Sequence, residues 1–333
     1  MTALPRHVLL GLLAILVVLI VLPMFADRFY VQLVTRIMVL AIFAMSLDLL
    51  IGYAGLVSFG HAAFFGLAGY ALAILQRDVE LVSMWTTLPL SLAACALAAL
   101  VIGWFSIRTS GIYFIMITLA FAQMLYFFFN DSRSFGGSDG IFLYQAPTLE
   151  LFGTEILDLG RRGELYYFVL GALVASYALA RMILQSPFGR VVTAIKINEP
   201  RTRALGYNTR RYKLVIFVIA GVLAGFAGYL NALQFGIVNP AQLSWHQSGQ
   251  VLVIVILGGI GTLYGPVLGA FVLVLLEDFL SHLTEHWLLI IGFFVIAVVL
   301  LLPRGIASLL EFRPSRQPVG GEAEVTVQEV RRA

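Results

Sequence analysis

Ten apolar stretches follow one another along this chain, most of them about as long as a bilayer is thick, and no other feature limits the possible folds as severely. They run Val8–Ala26, Val31–Ile51, Leu56–Leu75, Met84–Ile107, Ile112–Phe129, Leu165–Leu184, Tyr212–Phe235, Val251–Leu257, Val267–Phe279 and Trp287–Leu302. A helix needs about 20 apolar residues to cross roughly 30 Å of hydrocarbon. Lipid offers no hydrogen bonds, so runs of this length must be helical. A water-facing globule is excluded by composition: 60% of the 333 residues are hydrophobic and 12% charged, against roughly a quarter charged in soluble domains. The expectation is an all-α, polytopic membrane protein with about ten transmembrane or half-membrane helices over residues 1–302. The first run is too long for a signal-peptide core, and Met24-Phe25-Ala26 is a poor cleavage site, so it reads as a retained membrane helix.

Basic residues set the orientation, because Lys and Arg collect in cytoplasmic loops. Between Arg181 and Lys213 lie eight basic residues against one acid, Glu199, which places the loop 185–211 in the cytoplasm. The other long loop, 130–163, mixes Arg133, Arg161 and Arg162 with five acids and faces outward. Counting five spans back puts the N-terminus inside. The tail, 303–333, carries Arg304, Arg313, Arg316, Arg331 and Arg332 and should also be inside, with too little apolar content to fold. That outcome needs an even number of crossings after Lys213. The two short runs around Gly258–Gly265 must then be two crossings or a re-entrant unit, not one helix.

Two glycine-rich breaks share a pattern: Gly52-Tyr-Ala-Gly55-Leu-Val-Ser58-Phe-Gly60-His61 and Gly258-Gly259-Ile-Gly261-Thr262-Leu-Tyr-Gly265-Pro266. Broken helices at corresponding places in two halves point to a substrate path and a weak inverted repeat. Glycines also allow close helix packing, and both readings stay open. The pathway candidates are Gly52, Gly55, Ser58, His61, Gly258, Gly259, Gly261 and Thr262.

In the cytoplasmic loop, Asn198 is a good N-cap, Glu199 and Pro200 suit a first helical turn, and Gly206 suits the position past a C-terminus. A two-turn helix over Glu199–Leu205 follows, preceded by an amphipathic stretch, Val191–Ile197. Topology alone does not require a capped helix there, which favours a docking element.

The segment Gly189–Gly206, continuing through Tyr212-Lys213-Leu214 and Gly221–Gly228, resembles the permeases of high-affinity branched-chain amino acid ABC importers, the M-type subunit in particular. Ser46–Gly55 with Ser58–His61, Gly136–Gly140 and Gly258–Pro266 match the same pattern in the same order, so the resemblance covers roughly 30–302. One departure is that Pro200 and Arg201 follow Glu199 where the general coupling motif has alanines. The resemblance implies an ABC-importer permease fold in a bacterial inner membrane. It also implies a second related permease, two ATPase subunits and an external substrate-binding protein as partners. ATPase coupling would fall to Glu199, Arg201, Arg203 and Gly206, and binding-protein docking to Gly136, Gly137, Ser138, Asp139 and Gly140. The chain carries no phosphate-binding loop, since neither of its two lysines, Lys196 and Lys213, follows a glycine. ATP and Mg should therefore sit on partner subunits, with no cofactor, catalytic residue or metal on this chain. Lipid, not nucleic acid, is the remaining partner.

His61 reads either as a hydrogen-bonded structural histidine or as a pathway residue, and Asp48 as a helix-end or ion-pair partner. Cys95 and Phe127–Phe129 read as packing. Glu277 and Asp278 either receive the binding protein or are solvated. Related permeases carry urea, short amides or sugars, and the residues do not choose among these. A secondary carrier is the competing class; it would place coupling carboxylates in the membrane core, where Asp48 is the sole candidate, and would leave the capped loop without a role.

Overall fold

The computed structural model describes residues 6–151, 154–302 and 305–310. Ten helices carry the apolar runs: α1 (Arg6–Phe25), α2 (Arg28–Asp48), α3 (Ala62–Val79), α4 (Met84–Ser106), α5 (Ile112–Asp131), α6 (Arg162–Gln185), α9 (Thr209–Phe235), α10 (Trp245–Gly258), α11 (Gly265–Leu283) and α12 (Trp287–Leu301). Short helices α7 (Pro187–Ile197) and α8 (Glu199–Ala204) fill the loop between α6 and α9, and α13 (Ala307–Leu310) follows α12. By length and composition, six segments can cross a membrane.

α2 is the axis of the bundle, and its apolar span is wholly buried. It packs against α9, α11 and α6, with α3 and α4 closing the far side of α9. α9 runs antiparallel to α2 and α4 and parallel to α3. Gly221 and Gly225 of α9 face Ala99 and Cys95 of α4, while Gln234 at its other end donates to the Gln32 carbonyl of α2. Cys95 is thus packing, as expected; a side chain at Gly225 would meet its sulfur.

Several boundaries differ from the sequence expectation. The run at Leu56–Leu75 is not one helix: α2 widens into a π-helical turn at Leu49–Ala54, the chain is irregular to His61, and helix resumes at Ala62. The break is therefore longer than its glycines suggest. The pair around Gly258–Gly265 forms an antiparallel hairpin, with Ile254 against Gly269 and Gln250 donating to Glu277. Only α10, at 14 residues, is short; α11 has 19 and carries Glu277 and Asp278 within it. Hydropathy alone missed the polar ends Trp245–Gln250 and Ser281–Leu283. Four segments follow α8, the even number required.

Residues 130–163 are more than a loop. Two 3₁₀ turns (Arg133–Phe135 and Gly137–Asp139) lead into β1 (Ile141–Phe142), and β2 (Thr148–Leu151) pairs antiparallel with β3 (Thr154–Asp158). β1 pairs with β4 (Ile237–Val238) beyond α9. The expected unfolded tail lies largely outside the described residues. Of it the structure describes residues 305–310, where Ile306 donates to the Leu257 carbonyl and Gly305 packs on Gly259.

Candidate functional site

The two glycine breaks, far apart in sequence, meet in space. A β-carbon at Gly52 would lie 2.7 Å from the Gly261 Cα and against an Asp48 carboxylate oxygen, so only glycine fits there. The junction is held from α2. Asp48, fully buried, accepts the Gly261 N–H at 2.7 Å and the Leu263 N–H at 3.4 Å. Those amides belong to the irregular loop between α10 and α11, where Gly261 and Leu263 have positive φ. Hydrogen bonds to a charged group are worth about 1.5–3 kcal/mol each. Asp48 is therefore the clasp between the breaks. The sequence placed it at a helix end but gave no hint that its partner lies over 200 residues away.

A third element reaches the same point. Lys196, at the end of α7, donates from Nζ to the Gly52 carbonyl at 2.6 Å, and its stem covers the exposed Gly55. Sequence reading took Lys196 for a topological charge; its helical spacing from Gly189 was the available signal.

The remaining pathway candidates divide. Gly258 packs against Gly265 across the hairpin, and the Thr262 hydroxyl donates to the Gly259 carbonyl while accepting the Gly265 N–H. Ser58 and His61 lie away from the junction. His61 is fully buried, stacked on Phe43 and edge-on to Phe64. The Ser46 hydroxyl hydrogen goes to the Phe43 carbonyl at 2.6 Å, so at 2.9 Å it is His61 Nε2 that donates to Ser46 Oγ. Nδ1 is then a bare acceptor without a partner among the described residues. The ring is thus held by aromatic packing and one hydrogen bond to α2.

The loop between α6 and α9 is a bolted unit. Asn198 caps α8 by accepting the Arg201 N–H, as its sequence position predicts, and Gly206 follows the helix at φ +91°. Glu199 accepts from Lys213 at 2.5 Å, Thr209 at 2.9 Å and Arg203 at 3.2 Å, tying α8 to the start of α9. Partial burial opposes the Glu199 charge, but these donors outweigh it and hold the carboxyl below its ordinary range. Arg201 is exposed on this surface. A cavity of about 670 Å³ opens between α7 and α9, with Phe188 and Tyr212 stacked in its wall and Arg190 and Arg211 beside them. At the opposite end, Gly136–Gly140 form a tight turn with Gly140 against the Val238 carbonyl, leaving Ser138 and Asp139 exposed.

Residues 29–300 match the family described as branched-chain amino acid transport system / permease component. The chain is 30% identical to the high-affinity branched-chain amino acid transport system permease protein LivM of Escherichia coli strain K12, over 95% of this chain and 78% of that one. It is also 30% identical to LivH of the same strain over 40% of this chain and 44% of the relative, and to BraD of Pseudomonas aeruginosa over 43% and 47%. No solved structure matches.

Proposed function

The chain belongs to the branched-chain amino acid transport permease family, and from that premise we propose that it forms half of the translocation path of an ATP-driven importer for branched-chain amino acids. As a multi-pass permease subunit it carries no hydrolytic chemistry of its own. Its partners on this reading are a second related permease, two ATPases that bind ATP and Mg, and an external binding protein that selects the substrate. The membrane is the bacterial inner membrane, with both chain ends and the α7–α8 unit cytoplasmic.

One observation carries the mechanism: Lys196 connects α7 directly to the meeting point of the two breaks. An ATPase seated on Arg201, Arg203 and the neighbouring groove would move α7 and α8 together, because Asn198 bonds the Ala194 carbonyl of α7 with its N–H and caps α8 with its side chain. That motion would pull on the Gly52 carbonyl, where Gly52 and Gly261 already touch. A path lined by backbone groups suits a zwitterion that must pass without being held tightly. The outer turn Gly136–Gly140 would receive the binding protein.

The test is uptake of leucine, isoleucine and valine by proteoliposomes containing the whole complex. Uptake should need ATP on the ATPase side and persist when ion gradients are collapsed. Gradient-driven uptake without the ATPases would favour a secondary carrier, and uptake of urea or a sugar in place of the amino acids would move the substrate.

A further inference from the structure

A second cavity, of about 550 Å³, lies at the end of the bundle opposite the α7–α8 unit, walled by the start of α2, the start of α6 and the ends of α9 and α11. Its volume is that of a small-ligand site. Arg36 stands in its wall two turns inside α2, where a charge is costly unless it serves a purpose. Among the described residues no carboxylate lies within ion-pair distance of Arg36. Glu277 acts on it only from farther off and is itself engaged by Gln250. Asp278 also lines the cavity, half-buried. Gln234 stiffens the wall: its Nε2 donates to the Gln32 carbonyl, and its buried Oε1 has no partner among the described residues. Phe29, Leu33 and Leu233 complete an apolar wall.

An unpaired cation and a carboxylate beside an apolar wall make a charge-balanced receptor. We propose that this cavity binds a zwitterionic aliphatic α-amino acid, its carboxylate on Arg36 and its ammonium on Asp278. The inference rests on the importer reading and adds a station for substrate before the glycine junction. A phosphatidylethanolamine headgroup carries the same pair of charges, and the test separates the two.

The experiment uses the whole complex in nanodiscs with Leu233→Cys as a reporter, alkylated from the cavity side; the native Cys95 is buried and silent. Leucine at millimolar concentration should slow alkylation several-fold. Isoamylamine, which lacks the carboxylate, and 4-methylpentanoate, which lacks the ammonium, should not. Arg36→Gln should abolish the protection, and Arg36→Lys should keep part of it. Absence of protection by leucine in a complex that imports leucine overturns the cavity assignment and leaves the importer reading standing. Protection by leucine in a complex that does not import it supports the cavity and removes the importer substrate. Equal protection by isoamylamine, or protection that follows the phosphatidylethanolamine content and ignores leucine, also overturns the proposal.

Discussion

Asp48 holds the junction through its two oxygens, one for each loop amide. An asparagine there offers one oxygen and one NH₂, so the Leu263 N–H would face a donor. A buried donor without a partner costs about 1–3 kcal/mol. Asp48→Asn should therefore lower the unfolding temperature in detergent and cut leucine uptake per assembled complex, with Asp48→Ala worse on both counts; unchanged melting would mean that the clasp contributes nothing. Glycine positions at the junction behave differently. Gly261 has φ +79°, and a β-carbon would press on the Gly52 carbonyl at 3.2 Å. Gly261→Trp should block uptake while the complex still assembles and its ATPases keep their basal rate. His61→Ala opens a gap beside Phe43 and Phe64 but leaves the junction alone. It should cost stability more than transport, and a complete loss of uptake in stably assembled His61→Ala would return His61 to the path. Residue types and spacing were readable here. What each group bonds to was not, because the partners of Asp48, Gly52 and His61 come from other helices.

The α7–α8 unit was the most legible element, because a helix cap is written within a few residues. Asn198 and Gly206 stand where the sequence places them. Nothing lies within 4 Å of a β-carbon built at Gly206, so its constraint is purely conformational. Gly206→Val forces a β-branched residue into the left-handed region at roughly 1–2 kcal/mol. It should weaken substrate-stimulated ATPase activity without reducing insertion; full coupling in this variant would separate the C-terminus of α8 from docking. Glu199 adds a pH expectation. Its carboxyl is held below the ordinary value of 4.5, so its contribution is complete above that value and lost only as pH falls through the lowered one. Coupling should show no Glu199 titration between about pH 6 and 8, where the carboxylate stays ionised and bound, and Glu199→Gln should reproduce at neutral pH what strong acid does to the wild type. Elements defined by contrast with lipid were read less well. The start of α10 and the end of α11 are polar, and hydropathy cannot extend a helix through Gln247, Gln250 or His282. Thr148–Leu151 and Thr154–Asp158 pair as strands through backbone bonds that no apolar pattern announces.

At the scale of the whole molecule, the count of ten apolar helices and the even number after α8 were available from hydropathy and loop charge. The bundle's centre was not, since all ten runs are predominantly apolar and nothing in α2 marks it as the one buried on every side. Orientation remains to be measured. Cysteines at Ser138 and Arg201, in the exposed outer turn and on α8, should label from opposite faces of the membrane, and labelling of both from one face would contradict the alternating order of helices. The clasp also bears on biosynthesis. Asp48 is made early, but its hydrogen-bond donors at Gly261 and Leu263 lie 213 and 215 residues further along. Until α10 and α11 have left the ribosome, the nascent chain holds a carboxylate with no amide to receive it, on the helix that must become the most deeply enclosed. That helix has to wait near water or in the shelter of an insertase, and final burial of α2 becomes a late event. Chains truncated before residue 259 should therefore be recognised as unfinished and degraded, while a co-expressed fragment carrying α9 to α12 should rescue them.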